Sequence, residues 1–452
     1  MSKVIRLKKG LDINLIGEAE KVLAVAPIAA TYAVKPTDFI GVTPKLLVKV
    51  DDEVKAGTPL FFDKYNPEVL FAAPISGTVV AINRGEKRKI LEIVIAPSAE
   101  RAYEDFKIGN LASLSREDVV AKILEAGLWS FMTQRPYGVI ASSKDTPRDI
   151  FVSGFDSAPL AGDVDFMIKE REAEFKTGME VLTKLTSGKV YLGVSDKSAT
   201  ASFKSLNGVE VNTFSGKHPV GNVGVQIHHT APIRKGDTVW TVNIQDLVIL
   251  GGLFATGKVD MTRVIAVAGS MIEKPHYCKV ISGASLNSVI GKSLVKNEEK
   301  TPRIICGNVL TGEKVEAESY LAYQANAVTV IPEGDYYEFI GWIAPRLNKF
   351  SVSRTYLSWL CPTKKYDLDT NVNGGERAFV MTGEYEKVLP MDIYPVYLLK
   401  AILAGDIDKM ENLGIYEIIE EDLALCEFVC TSKIDVQQIV RDGINLMIKE
   451  LS

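Results

Sequence analysis

No run in this 452-residue chain reaches the ~18–20 uncharged apolar residues needed to cross a bilayer. The richest candidate, Leu389–Leu403, is interrupted by Pro390, Asp392, Pro395 and Lys400. The opening Met1-Ser2-Lys3-Val4-Ile5-Arg6 is charged, but no apolar core of signal-peptide length follows it. Work at a membrane would therefore depend on partners. Cysteine is scarce: five residues, at 278, 306, 361, 426 and 430, form no regular framework, which suggests a reducing compartment. Basic charge is not in excess either. The net charge of −5 and the lack of a sizeable basic patch argue against nucleic acid as a partner. G-x-G-x-x-G and G-x-x-x-x-G-K-[ST] are absent, as are a nucleophile elbow and an ordered Ser-His-Asp set. Neither a phosphate-cradling loop nor an unaided hydrolase is supported.

What is present reads as a folded, multi-domain α/β chain. Hydrophobic residues make up 46% and charged residues 24%, a balance that favours packed cores over disorder. The length suggests about three or four domains. Through residue 110, short apolar runs such as Leu46-Leu47-Val48-Lys49-Val50 and Gly77-Thr78-Val79-Val80 are punctuated by Gly, Pro and Asp. That pattern predicts a small sandwich or barrel, with Gly57 and Gly77 as turn residues tolerant of positive φ. Ser115-Arg116-Glu117-Asp118 predicts a capped helix stopping near Gly127. From about 138 to 265, strands at 138–141, 151–152, 189–194 and 264–267 alternate with helices near 163–187 and 236–255, predicting an open, largely parallel sheet. Residues ~270–345 return to short strands, and Val396–Ala404 and Val436–Leu451 mark a small helical end-domain.

Several constellations bear on chemistry. Gly251-Gly252-Leu253-Phe254-Ala255-Thr256-Gly257 follows a helix-like segment and reads as a helix stop and turn rather than a phosphate loop. His228 and His229, placed on a strand, would point to opposite faces and make a poor metal site. His218 lies in the Gly- and Pro-punctuated loop Ser215–Gly221, which is either a tight connection or a loop placing a functional group. Cys426 and Cys430 fall short of the about four thiolates an iron–sulfur cluster needs, and read as a reduced structural pair. Leu128–Tyr137 mixes aromatics, Met, amide and guanidinium. It could pack a flat ligand carrying carbonyl oxygens, or plug a sheet edge as a buried loop.

Motifs distributed along the chain carry a resemblance. Ile5-Arg6-Leu7-Lys8-Lys9-Gly10-Leu11-Asp12-Ile13, Pro44-Lys45-Leu46-Leu47-Val48-Lys49 and Pro74–Gly85 occur in order with Phe214–Gly221 and Val239–Asp246. Together they resemble the A-subunit family of bacterial sodium-translocating NADH:quinone oxidoreductases, from about residue 3 to the final helix. The resemblance implies a peripheral subunit on the cytoplasmic side of the inner membrane, partnered by integral-membrane subunits. It implies a quinone-binding role, with NADH, flavins and iron–sulfur centres on other subunits and no cofactor bound covalently here. It also implies kinship with the flavin-binding subunit of respiratory complex I, with Trp129–Tyr137 in place of that subunit's glycine-rich loop. The implied parts are a biotinyl/lipoyl-like β module (1–110), a Rossmann-like α/β layer (111–268), a ubiquitin-like β-grasp module (269–345) and a helical domain (346–452). Lys64 sits near a carrier-lysine position but reads as an ordinary surface lysine. The expected quinone contacts are Phe131, Arg135 and Tyr137, with His218 and Phe39 as further candidates; no catalytic or metal-ligating residue is expected in this chain. The alternatives are a stand-alone flavoenzyme and a purely structural docking subunit.

Overall fold

The computed structural model describes residues 3–200, 203, 206–339, 341 and 346–451. Four sheets and a helical bundle make up its described architecture. Near the N-terminus, a four-stranded antiparallel sheet runs Tyr32–Val34, Ile90–Pro97, Gly77–Arg84, Glu53–Val54. A three-stranded sheet, Pro44–Leu46, Pro59–Asp63, Leu70–Ala72, accompanies it. Leu60, Phe61, Phe71, Val79, Ile93 and Ile95 are fully buried in the shared core. Of the two predicted turn glycines, Gly57 does take positive φ (+98°), whereas Gly77 begins a strand. A Cβ on Gly77 would lie 2.0 Å from the Ala96 carbonyl oxygen, so close strand approach is what requires glycine there.

The seven-stranded sheet is parallel through Val4–Arg6, Val209–Ser215, Val190–Ser195, Ile150–Ser153 and Val239–Thr241. It is finished by an antiparallel edge of Thr133–Arg135 and Val139–Ile140. Helix Arg116–Glu125 starts with the predicted capping box: Ser115 Oγ accepts from the Asp118 backbone N–H, and the Asp118 carboxylate accepts from the Ser115 N–H, both at 3.1 Å. The predicted helix at 163–187 is a short turn, Val164–Met167, followed by Glu172–Leu185. The one predicted at 236–255 is strand Val239–Thr241 followed by helix Ile244–Thr256. These two long helices pack intimately because glycines face the contact: a Cβ on Gly251 would sit 1.8 Å from the Glu174 carbonyl oxygen. Gly251 and Gly252 are thus inside the helix, and only Gly257, with φ of +70°, stops it.

A mixed six-stranded sheet runs Glu313–Val315, Pro302–Cys306, Ala327–Pro332, Thr262–Ala268, His276–Ile281, Glu20–Val25. Thr262–Ala268 therefore belongs to this sheet and not to the parallel layer in which the alternating pattern places it. The helical bundle comprises Tyr385–Val388, Pro395–Leu403, Ile407–Asn412, Glu420–Val429 and Val436–Leu451 around Leu398, Leu423, Val440 and Met447. Among the described residues, no helix is long and apolar enough to cross a membrane.

Candidate functional site

The segment Leu128–Tyr137 leaves the capped helix as a 3-10 turn, Trp129–Phe131, and becomes strand Thr133–Arg135, next to the sheet's edge. Its two ends meet different neighbours. Trp129 is buried, gives its indole N–H to the Ala141 carbonyl at 2.7 Å, and meets Trp240 edge-on at 5.5 Å. Phe131 lies 6.2 Å from Tyr323, which in turn meets Phe39 at 5.4 Å. Phe39 contacts Phe71 at 4.5 Å, and Phe71 stacks on Phe61 at 4.4 Å. Rings from the N-terminal sheets, the α/β layer and the loop before Ala327–Pro332 thus form one aromatic junction. Polar bonds lock it: Tyr323 donates its hydroxyl to Ala72 O at 3.1 Å, and Gln324 Nε2 donates to Ser130 O and to Asp246. Burial raises the Tyr323 phenol far above its usual range, so the ring stays a neutral donor.

At the other end, Arg135 is fully buried and ion-paired. Nη1 donates to Asp422 at 2.6 Å and Nη2 to Glu421 at 2.5 Å, both in the first turn of helix Glu420–Val429. Close packing permits this, since a Cβ on Gly224 would lie 2.3 Å from Asp422 Oδ1. Among the described residues, the Arg135 Nε–H is buried without a partner. Tyr137 is less enclosed: its ring faces Tyr416 at 6.4 Å, and its carbonyl accepts from Arg441 at 3.1 Å. Lost hydration, reinforced by Glu411, raises the Tyr137 phenol above its ordinary value.

His218 occupies a third place, past the carboxyl end of strand Val209–Ser215. Its Nδ1 is 3.0 Å from Ser157 Oγ, its backbone N–H donates to Asp12, and its carbonyl accepts from Leu11. Burial pushes its imidazole down to about 4, so it is neutral near pH 7. Of the candidate residues, then, the fold unites Phe39 with Phe131 and places Arg135 beside Tyr137 at the helical bundle, while His218 stands apart. None of the five lines the shallow hollows bordered by Ser76, Arg101 and Tyr103 or by Ile168, Gln245 and Arg263. Residue pattern alone misses Tyr323, Gln324, Glu421 and Asp422. The acidic triplet Glu420-Glu421-Asp422 is the available signal, since so much charge opening a helix invites a buried cation.

His228 and His229 lie on helix Val223–Thr230, not on a strand. His228 Nε2 accepts the Asp392 N–H, so Nδ1 carries the proton toward Glu417 at 2.7 Å. His229 Nε2 donates to Pro390 O at 2.7 Å. Their nitrogens tie the α/β layer to the bundle. Cys426 and Cys430 are buried in the bundle, and burial raises the Cys426 thiol far above its normal range. Among the described residues, no three or more His, Cys, Asp or Glu side chains converge as metal ligands would. Lys64 is exposed, its ammonium 5.3 Å from the Tyr65 ring centre.

Three family models match in tandem: the NqrA N-terminal barrel-sandwich hybrid domain over residues 5–98, the NqrA second alpha/beta domain over 114–259, and the NQRA C-terminal domain over 264–317. The A subunit of the Na(+)-translocating NADH-quinone reductase from Neisseria meningitidis serogroup A is 39% identical over 99% of this chain and all of its own length. The chain belongs to the NqrA family. NqrA of Serratia proteamaculans is 39% identical over 97% of this chain and 98% of its own. NqrA of Rhodopirellula baltica is 37% identical, with 99% and 98% covered. The NqrA models coincide with the N-terminal sheets and with most of the parallel sheet, and the third begins within Thr262–Ala268, in the six-stranded sheet.

Proposed function

We propose that the chain is a peripheral subunit of a sodium-pumping NADH:quinone oxidoreductase on the cytoplasmic face of the bacterial inner membrane. In this reading it helps bind and orient quinone, while NADH, flavins and iron–sulfur centres reside on other subunits, some of them integral to the membrane. The observation that carries the reading is identity of 39% along 99% of the chain to relatives named for NADH-quinone reduction coupled to Na(+) translocation. The parallel sheet would then be a Rossmann-like layer and the six-stranded sheet the frame of a β-grasp module. The parts would fall near 1–110, 111–268, 269–345 and 346–452, with Val4–Arg6, Glu20–Val25 and Thr262–Ala268 lent across those borders.

Quinone recognition needs apolar rings against a flat face and donors toward carbonyl oxygens. Phe39 and Phe131 supply rings beside Tyr323. Nη1 and Nη2 of Arg135 each give one N–H to a carboxylate, while its Nε–H has no partner among the described residues and is the nitrogen free to donate to a carbonyl oxygen. Tyr137 and neutral His218 offer further polar groups. Two electrons would arrive from a flavin on a neighbouring subunit, while this chain would contribute position and hydrogen bonds. Replacing Phe39 or Phe131 by Leu in the assembled complex should raise the KM for quinone several-fold while leaving NADH oxidation by an artificial acceptor unchanged. Unaltered quinone kinetics and inhibitor response would sink the assignment.

A second reading, a docking subunit that only holds the complex together, is favoured by one observation. Phe39 and Phe131 are 5% and 1% exposed within a continuous core. Normal quinone affinity after substitutions throughout 129–137 would select it.

A further inference from the structure

Between strand Ala327–Pro332 and helix Tyr385–Val388, the only regular element among the described residues is the 3-10 turn Leu357–Leu360. Within this stretch, residues 346–365 contain five basic side chains, Arg346, Lys349, Arg354, Lys364 and Lys365, and no acidic one. That composition stands out in a chain of net charge −5. The segment folds back on itself. Ser351 N–H donates to Ser358 Oγ at 3.1 Å, Ser358 Oγ donates to Ser351 O at 3.2 Å, and Lys364 Nζ reaches Leu347 O at 2.6 Å. One side is pinned to the body of the molecule, where Phe350 meets Tyr366 at 5.7 Å and Phe428 at 6.2 Å.

The rest is open. Leu347 is 73% exposed, Leu360 57%, Leu357 51% and Trp359 50%, and Arg354 lies over the Trp359 ring at 5.4 Å. Two carboxylates answer the basic charge: Glu338 pairs with Arg346 and Lys349, and Glu18 with Lys365. The balance remains positive, and among the described residues no carboxylate pairs with Arg354 or Lys364. Exposed Leu and Trp interleaved with Lys and Arg suit the boundary between headgroups and acyl chains, where apolar rings enter the interface and cations meet anionic phosphate. We propose that residues 346–365 form a membrane-contact loop that rests on an anionic phospholipid surface. The charge complementarity selects lipid of that kind, and the inference does not depend on where quinone binds.

The test is co-sedimentation of the full chain with vesicles of phosphatidylcholine, with and without phosphatidylglycerol. The chain should bind the phosphatidylglycerol vesicles, and rising salt should weaken the binding. Arg354→Glu combined with Lys364→Glu should weaken it by more than about tenfold, since each interfacial basic charge is worth roughly a fivefold change. Trp359→Ser with Leu360→Ser should weaken it as well. All four side chains are exposed, so the unfolding midpoint should hold and report that the variants fold. Because Lys364 also ties to Leu347, Arg354→Glu alone is the control and should still weaken binding by about fivefold or more. Failure to bind, or equal binding by wild type and variants, overturns the proposal. A tryptic cut after Arg354 supplies a second readout on the whole complex. Protection in native membranes that disappears in detergent supports lipid contact, whereas equal protection in detergent assigns the loop to a protein partner and overturns it.

Discussion

The two ends of Leu128–Tyr137 lie within one short segment, yet they join their neighbours by opposite physics. Trp129 and Phe131 enter an aromatic junction in which many small dispersion contacts share the work. Arg135 enters a site where one guanidinium answers two carboxylates, one of them fully buried. An apolar junction loses stability in proportion to the atoms removed. A buried ion pair contributes little net when intact, but breaking it strands a charge without water or partner. Taking one partner from the charged end should therefore cost more than trimming a single group from the aromatic end.

The sharpest way to break this contrast is Arg135→Met. It should cost about 3–5 kcal/mol, because Asp422 stays buried with no cation. Adding Asp422→Leu should restore much of that loss. Denaturant unfolding measures both, and a double variant as unstable as the single one would show that packing, not stranded charge, dominates. Next comes pH. Because the His218 pKa falls from its ordinary 6.5 to about 4 on folding, the unfolded chain binds the extra proton between those values. Stability from this group is therefore present above pH 6.5 and lost as pH falls toward 4, by up to about 3 kcal/mol. His218→Gln should flatten that part of the profile of unfolding midpoint against pH. At the aromatic end, Tyr323→Phe keeps the ring and removes only the hydroxyl bonded to Ala72, so a loss of about 1–2 kcal/mol is expected by the same unfolding measurement. Smallest is Ser115→Ala, which removes the cap of the helix leading into the segment and should cost about 1 kcal/mol. It should leave both junctions equally affected, giving a baseline against which their asymmetry can be read.

Local chemistry is the legible part of this sequence. The Ser115–Asp118 cap, the final helix and the parallel character of the central sheet each follow from residues close together in the chain. Strand Val239-Trp240-Thr241 reads as helix because its three residues run directly into the helical pattern of Ile244–Thr256. His228 and His229, which on a strand would face opposite ways, sit instead on an eight-residue helix too short to leave a clear periodic signature. The aromatic composition of 128–137 is visible, but its partners are not. Tyr323 meets Phe131 from far along the chain, and Glu421 and Asp422 reach Arg135 across 286 and 287 residues. A one-dimensional pattern names the donor and does not reveal which acceptor will take it.

Strand Val4–Arg6 pairs with Thr213–Ser215, and strand Glu20–Val25 pairs with His276–Lys279. On the ribosome, neither can take its place until more than two hundred further residues have been made. Loop closures of that length are slow and leave unpaired strand edges exposed in the meantime. The compact N-terminal sheets, whose strands all lie between Tyr32 and Pro97, can form while the chain is still emerging. The preceding segment adds one edge strand to each of two sheets, and each can dock only once its partner strand has been made. An extension or trimming that slows the return of these early residues should therefore show first as poor yield, before any change in the finished protein.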